Sequence, residues 1–152
     1  MEGLERIKVA VRVRPMSAQE QSESARIVGA EGSSTLTIAN PDAGGGEEKR
    51  FTYDHAYAET TGQDQIYQDL GKPVVDKAMQ GYNGTLFAYG QTGSGKTHTM
   101  MGAQGSLGII PHLLADVFER VGRREAGEQF LVVISYLEIY NEVVRDLLNP
   151  SD

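Results

Sequence analysis

The chain has 152 residues, with 39% hydrophobic and 23% charged side chains, no cysteine and a formal net charge of -7. That length and composition give one domain with a buried core, and the missing cysteines exclude disulfides, thiolate metal sites and a cysteine nucleophile. The acidic excess excludes nucleic-acid binding through bulk charge, and the longest apolar run, Phe130 to Ile134, is far short of the roughly 20 residues that span a membrane.

Met1 to Glu5 carries no basic segment followed by an apolar one, so no secretory leader is expected and cytoplasm is the expected compartment. Ile7 to Arg14 alternates apolar with polar residues up to Pro15, the pattern of a half-buried strand. Met16 to Ser24 is polar and reads as irregular. Arg26 to Val28 and Thr35 to Ile38 flank a Gly-Ser-Ser turn, a hairpin signal. Asn40 to Arg50 reads as a loop and Phe51 to Tyr53 as a short strand. Thr60 reads as a helix N-cap, with Gln63 completing a capping box. Ile66, Tyr67, Leu70, Val74, Val75, Ala78 and Met79 then recur at helical spacing, with Pro73 expected to interrupt them. Thr85 to Tyr89 is almost wholly apolar and reads as a strand buried on both faces of a parallel sheet. Pro111 to Val121 is an amphipathic helix, Gln129 to Leu137 a strong strand and Asn141 to Leu148 a short helix. Alternating helices and apolar strands give an α/β fold with a mostly parallel central sheet flanked by helices.

Glycine is unusually frequent, at 18 residues of 152, against about 7% in typical proteins. Several glycines fall in residues 90–97, Gly90-Gln91-Thr92-Gly93-Ser94-Gly95-Lys96-Thr97. This fits the phosphate-binding pattern G-x-x-x-x-G-K-[ST] between an expected strand and an expected helix. Gly90, Gly93 and Gly95 let the backbone wrap closely with N–H groups turned inward. Lys96 supplies a mobile positive charge for the β- and γ-phosphates, and the Thr97 hydroxyl is placed to ligate Mg2+.

The run Tyr82 to Met100 (YNGTLFAYGQTGSGKTHTM) resembles the P-loop region of a kinesin motor head. Three further segments agree in the same order: Val11 to Pro15 (VRVRP), Gly108 to Pro111 (GIIP), and Ser135 to Glu142 (SYLEIYNE) with Asp146-Leu147-Leu148. The resemblance covers nearly all of the chain. It implies a P-loop NTPase fold, ATP and Mg2+ as ligands, and the microtubule (tubulin) as partner, with the microtubule cytoskeleton as location. It also implies that Pro15 offers a flat face to the adenine, that at least one of Arg12 and Arg14 lies near base or ribose, and that His98 closes the other side of the base.

Neither of the family's switch motifs, N-x-x-S-S-R-S-H and D-L-A-G-S-E, occurs in the 152 residues. The expectation is therefore residues 1–152 as the N-terminal part of a motor domain, an incomplete kinesin motor fold truncated before the switch regions. Such a piece would bind nucleotide weakly and hydrolyse it negligibly alone. Lys96 is the one expected catalytic group, through charge stabilisation, and tubulin would be gripped mostly beyond residue 152. The alternatives are another P-loop nucleotide or small-molecule kinase, and a non-hydrolysing binding fragment. Asp42-Ala43-Gly44-Gly45 fits D-x-x-G but sits in a polar loop, so no phosphate sensor is expected there. Glu138, Tyr136 and Tyr140 read as structural, and His55 and His112 show no metal or triad pattern.

Overall fold

The computed structural model describes residues 7–40, 48–123, 127 and 129–149. The chain divides into two compact units, residues 1–117 and 118–152.

In the first unit the opening strand is short. β1 (Ala10–Arg12) pairs in parallel with β5 (His55–Tyr57), with Ala10 opposite His55 and Arg12 opposite Tyr57. Between them lies an antiparallel three-stranded sheet, β2 (Val28–Glu31), β3 (Thr35–Ala39) and β4 (Glu48–Thr52). The hairpin expected around Gly32 is therefore present, and Gly32 takes a positive φ of 61° in its turn. The Asp42 to Gly45 pattern lies outside the described residues. The polar stretch after Pro15 is not irregular but forms α1 (Ala18–Glu23), closed by a capping box in which Ser17 and Glu20 exchange side-chain-to-backbone bonds. It buries no residue, so apolar periodicity gave no signal for it, while the S-x-x-E spacing did.

The next helix starts two residues later than its expected cap. α2 (Gln63–Ile66) has Gly62 as N-cap, without a side-chain bond, and Thr60 does not cap it. It runs into a π-helical turn (Tyr67–Gly71) and then α3 (Lys72–Ala78), with Pro73 in its first turn. Pro73 has no N–H to give and clashes with a regular preceding turn, so the widened turn before it is the expected interruption. Tyr57, Ile66 and Ile109 form the buried cluster, with Ala10, Leu70, Leu86 and Met100 packed against it. The second long helix, α5 (Ile109–Gly122), contains the expected Pro111 to Val121 and starts two residues before it.

Two apolar segments expected as strands are not strands. Residues 85–89 carry no ladder hydrogen bonds, and Phe87 and Tyr89 are 78% and 95% exposed, while Leu86 alone turns to the core. A strand buried on both faces requires neighbours for its N–H and C=O groups, and no described strand lies beside this one. In the second unit residues 129–136 are extended without strand pairing, with Leu131 and Val133 exposed. Asn141 to Leu148 is not a helix. β6 (Leu137–Tyr140) and β7 (Val143–Asp146) form an antiparallel hairpin turned by Asn141 and Glu142, both at positive φ (50° and 64°). Two consecutive left-handed residues make the two-residue turn that matches strand twist and forbids a right-handed helix. The parallel pairing expected of a central sheet is thus confined to β1–β5 among the described residues.

Candidate functional site

Residues 90–95 form a loop that ends at α4 (Lys96–Met100). Gly95 is the N-cap at φ 96°, a left-handed conformation that places Lys96 and Thr97 in the first turn. At the other end of the loop Gly90 has φ 152°. A Cβ there would lie 2.5 Å from Ser94 Oγ, so the loop closes on itself only because this position lacks a side chain. The Lys96 ammonium donates to the carbonyl oxygens of Gly90 and Gln91, each 2.8 Å away. Gln91, Thr92, Gly93, Thr97 and His98 are exposed, and Ser94 and Lys96 are half-buried.

β1 delivers the VRVRP residues to this loop along two routes. Arg14 is exposed, and its Cγ and Cδ lie 3.9 Å from where a Cβ on Gly95 would sit. Its guanidinium pairs with Glu20, while the Arg14 Nη1 donates to the Pro15 carbonyl at 3.0 Å. The Glu20 carboxyl is held down to about 2 by the Ser17 backbone N–H first and by Arg14 second. Pro15 is exposed beside it. Arg12 instead turns inward. Its Nη1 donates to Gln63 Oε1 at 2.8 Å and to Thr99 Oγ1 at 2.9 Å, and burial pulls its guanidinium below its ordinary value. Of the two arginines expected near a base or ribose, Arg14 is the one at the surface.

Thr99 was not anticipated, and Gln63 was expected only as the capping-box partner of Thr60. Gln63 is 5% exposed, accepts from Arg12, and its Nε2 donates to the His98 carbonyl at 2.5 Å. The signal was present in the sequence. Gln63 stands at the helical spacing of Ile66, Tyr67 and Leu70, so an amide occupies a position on an apolar stripe, where a buried polar group needs partners.

Several other titratable side chains pair or stack away from this loop. The Tyr57 hydroxyl donates to Asp69 at 3.2 Å, and burial, then Asp69, raises its pKa. The His55 ring stacks on Tyr57. His112 stacks on Tyr67 with its Nε2 3.2 Å from an Asp64 carboxylate oxygen. Glu138 pairs with Arg145, while Tyr136 and Tyr140 are exposed. No group of three His, Asp or Glu side chains is arranged for a metal among the described residues, and no described helix is long and apolar enough to cross a membrane.

With the glycine loop, its closing lysine and the VRVRP segment in place, the family model of the kinesin motor domain matches residues 12–152. The chain belongs to the kinesin motor family. It is 44% identical to kinesin-like protein KIF1C of Homo sapiens, over 95% of this chain and 14% of that protein, and 42% identical to KIF1A of Rattus norvegicus, over 96% and 9%. Centromere-associated protein E of Homo sapiens is 38% identical over 93% of this chain and 5% of its own length. The solved structure of KIF14 residues 391–755, with ADP in complex with a microtubule, superposes with a TM-score of 0.78 at 35% identity. That match covers 95% of this chain and 42% of the KIF14 chain. The fold is therefore the kinesin motor fold, a P-loop NTPase fold, present in part.

Proposed function

We propose that this chain is the ATP-binding part of a microtubule-based motor. The observation that carries the reading is the loop of residues 90–97, closed by Lys96 on the Gly90 and Gln91 carbonyls at the start of α4, in a kinesin motor domain. Backbone N–H groups of the loop and first helical turn, with the Lys96 ammonium, bind the phosphates. Lys96 leaves its two carbonyl partners for the incoming oxygens and offsets their charge, which is the contribution of this segment to hydrolysis. Gln91, Thr92, Gly93, Ser94 and Gly95 wrap the phosphates through their backbone. The residues present fit a magnesium nucleotide: the cradle lacks a Cβ where Gly90 approaches Ser94, and the Thr97 hydroxyl is exposed beside Lys96. The Thr97 hydroxyl would hold Mg2+, which when bound would supply positive charge against the phosphates. Pro15 and His98 flank the base, and Arg14 lies at its edge.

The partner is tubulin, and the place of action is the microtubule cytoskeleton. Residues 1–152 serve as the N-terminal part of the motor domain. The exposed apolar side chains of 85–89 and 130–134 are those that further strands of a complete head would cover. The test is titration of the 152-residue chain with a fluorescent ADP analogue and Mg2+, followed by ATP turnover with and without microtubules. Saturable binding abolished by Lys96→Ala, with negligible turnover, is the expected result. No binding in the chain or in a complete head would overturn the reading, and brisk microtubule-stimulated turnover would overturn the view of the chain as hydrolysis-deficient.

A further inference from the structure

α4 is only five residues long, and near its C-terminal end a single N–H, that of Met101, is shared between the Thr97 and His98 carbonyls. One of them, on His98, is met by Gln63 Nε2 at 2.5 Å. The Gln63 Oε1 is in turn met by Arg12 Nη1 at 2.8 Å, and the same nitrogen reaches Thr99 Oγ1 in α4 at 2.9 Å. Arg12 Nη2 adds a 3.4 Å contact to the Thr61 carbonyl, in the turn that leads into α2. Three elements distant in sequence, β1, α2 and α4, thus meet in one network of side chains. Gln63 is its centre, and it is the one member whose side chain both gives and accepts.

We propose that Gln63 is a positioning residue for the phosphate-binding helix: it anchors the far end of α4, and so fixes the near end, where Lys96 and Thr97 sit. A helix this short is not stable from its own hydrogen bonds. At its two ends Thr99 N–H bonds Gly95 and Met101 N–H bonds Thr97, at 2.9 and 2.7 Å. External anchors therefore decide its orientation. Met100 packs on the core from one side, and the Gln63 amide holds the backbone from another. A glutamine suits the position because it supplies an acceptor for a cation and a donor for a carbonyl at once, which neither glutamate nor lysine does. Arg12 has the sign that a helix C-terminus favours.

The proposal rests on the nucleotide-binding reading only for its consequence, and the experiment separates the two. Amide hydrogen exchange is followed in the nucleotide-free 152-residue chain for wild type, Gln63→Glu and Gln63→Ala. Gln63→Glu keeps the oxygen that accepts from Arg12 but loses the donor and turns a carboxylate oxygen toward the His98 carbonyl. It should speed exchange at Thr99 and Met101 on the order of tenfold, the worth of about one hydrogen bond, while Val13, bonded to Tyr57 in the β1–β5 pair, exchanges as in wild type. Affinity for the fluorescent ADP analogue with Mg2+ should fall by a comparable factor. Unchanged exchange in α4 for both variants overturns the proposal, as does equal acceleration everywhere or loss of the fold in both, since either means a general structural role. If wild type binds no nucleotide, the nucleotide reading fails while the exchange data still decide the anchor.

Discussion

Lys96 Nζ lies 2.8 Å from the carbonyl oxygen of Gly90, so the cation that closes the loop motif is tied to the glycine that opens it. The bond ties the two ends of the loop together, and the proposed role of the ammonium is to meet phosphate oxygens there. Replacing Lys96 by Ala removes both functions. Affinity for MgATP should fall roughly 10- to 100-fold, the worth of one charge-assisted contact, while the thermal midpoint shifts little because the side chain is half-exposed. Lys96→Arg should recover only part of the affinity, since a planar fork does not substitute for a compact ammonium. Calorimetric titration beside a melting curve separates the two effects.

Gly90 gives a second test of the same loop. Its φ of 152° is uncommon for any residue with a side chain, and an added Cβ meets Ser94 Oγ at 2.5 Å and Ser94 Cβ at 3.2 Å. Gly90→Ala should weaken nucleotide binding by about tenfold, from strain of roughly 1–2 kcal/mol. Adding Ser94→Gly relieves the contact but not the backbone strain, so the double variant should recover part of the loss. Full recovery would show that the backbone conformation is immaterial.

Glu20 makes a pH prediction. Its carboxyl is held down to about 2 from an ordinary 4.5 by the Ser17 N–H and by Arg14. A depressed folded-state value means that its contribution is complete above pH 4.5 and is lost as pH falls toward 2. The α1 cap and the Arg14 pairing should therefore persist through mild acid and loosen only near pH 2. The Glu20 carboxyl titrated by NMR should give a midpoint near 2 in wild type and near the ordinary value in Arg14→Ala with Ser17→Ala. Glu20→Gln should flatten the acid limb of stability against pH between 4.5 and 2.

How far the sequence foretold this arrangement depended on whether the signal was local. The loop of residues 90–97, α5 and the hairpin at Gly32 follow from glycine placement and helical spacing, and the chain forms them. Pro73 marks its own interruption. Residues 85–89 and 129–136 have the composition of strands, but a strand exists only with a neighbour in register, and composition cannot supply one. Asn141-Glu142 defeated a helical reading because the decision lies in two positive φ angles that Glu142 does not advertise. The helix start at Lys96 was legible from spacing. Gln63 was read only as the capping-box partner of Thr60, because its actual partners, Arg12 and His98, are 51 and 35 residues away.

The core beneath the site is small enough for one side chain to decide its integrity. Ile66 is 1% exposed and packs with Tyr57 and Ile109, while its neighbour Tyr67 donates to Asp116 at 2.6 Å. Ile66→Ala leaves a cavity between α2 and α5 and should cost about 2–5 kcal/mol, a large share of the roughly 5–15 kcal/mol that holds a typical domain. Tyr67→Phe keeps the ring stacked on His112 and deletes the hydroxyl bond to Asp116, at a cost of about 1–2 kcal/mol. Urea unfolding followed by circular dichroism should therefore place Ile66→Ala well below Tyr67→Phe in midpoint. Leu86 and Met100, at either side of the phosphate loop, pack on the same cluster, so the Ile66 cavity should also weaken nucleotide binding, whereas Tyr67→Phe should leave it near wild type. The reverse order of midpoints would mean that the polar contact, and not the apolar cluster, holds these helices.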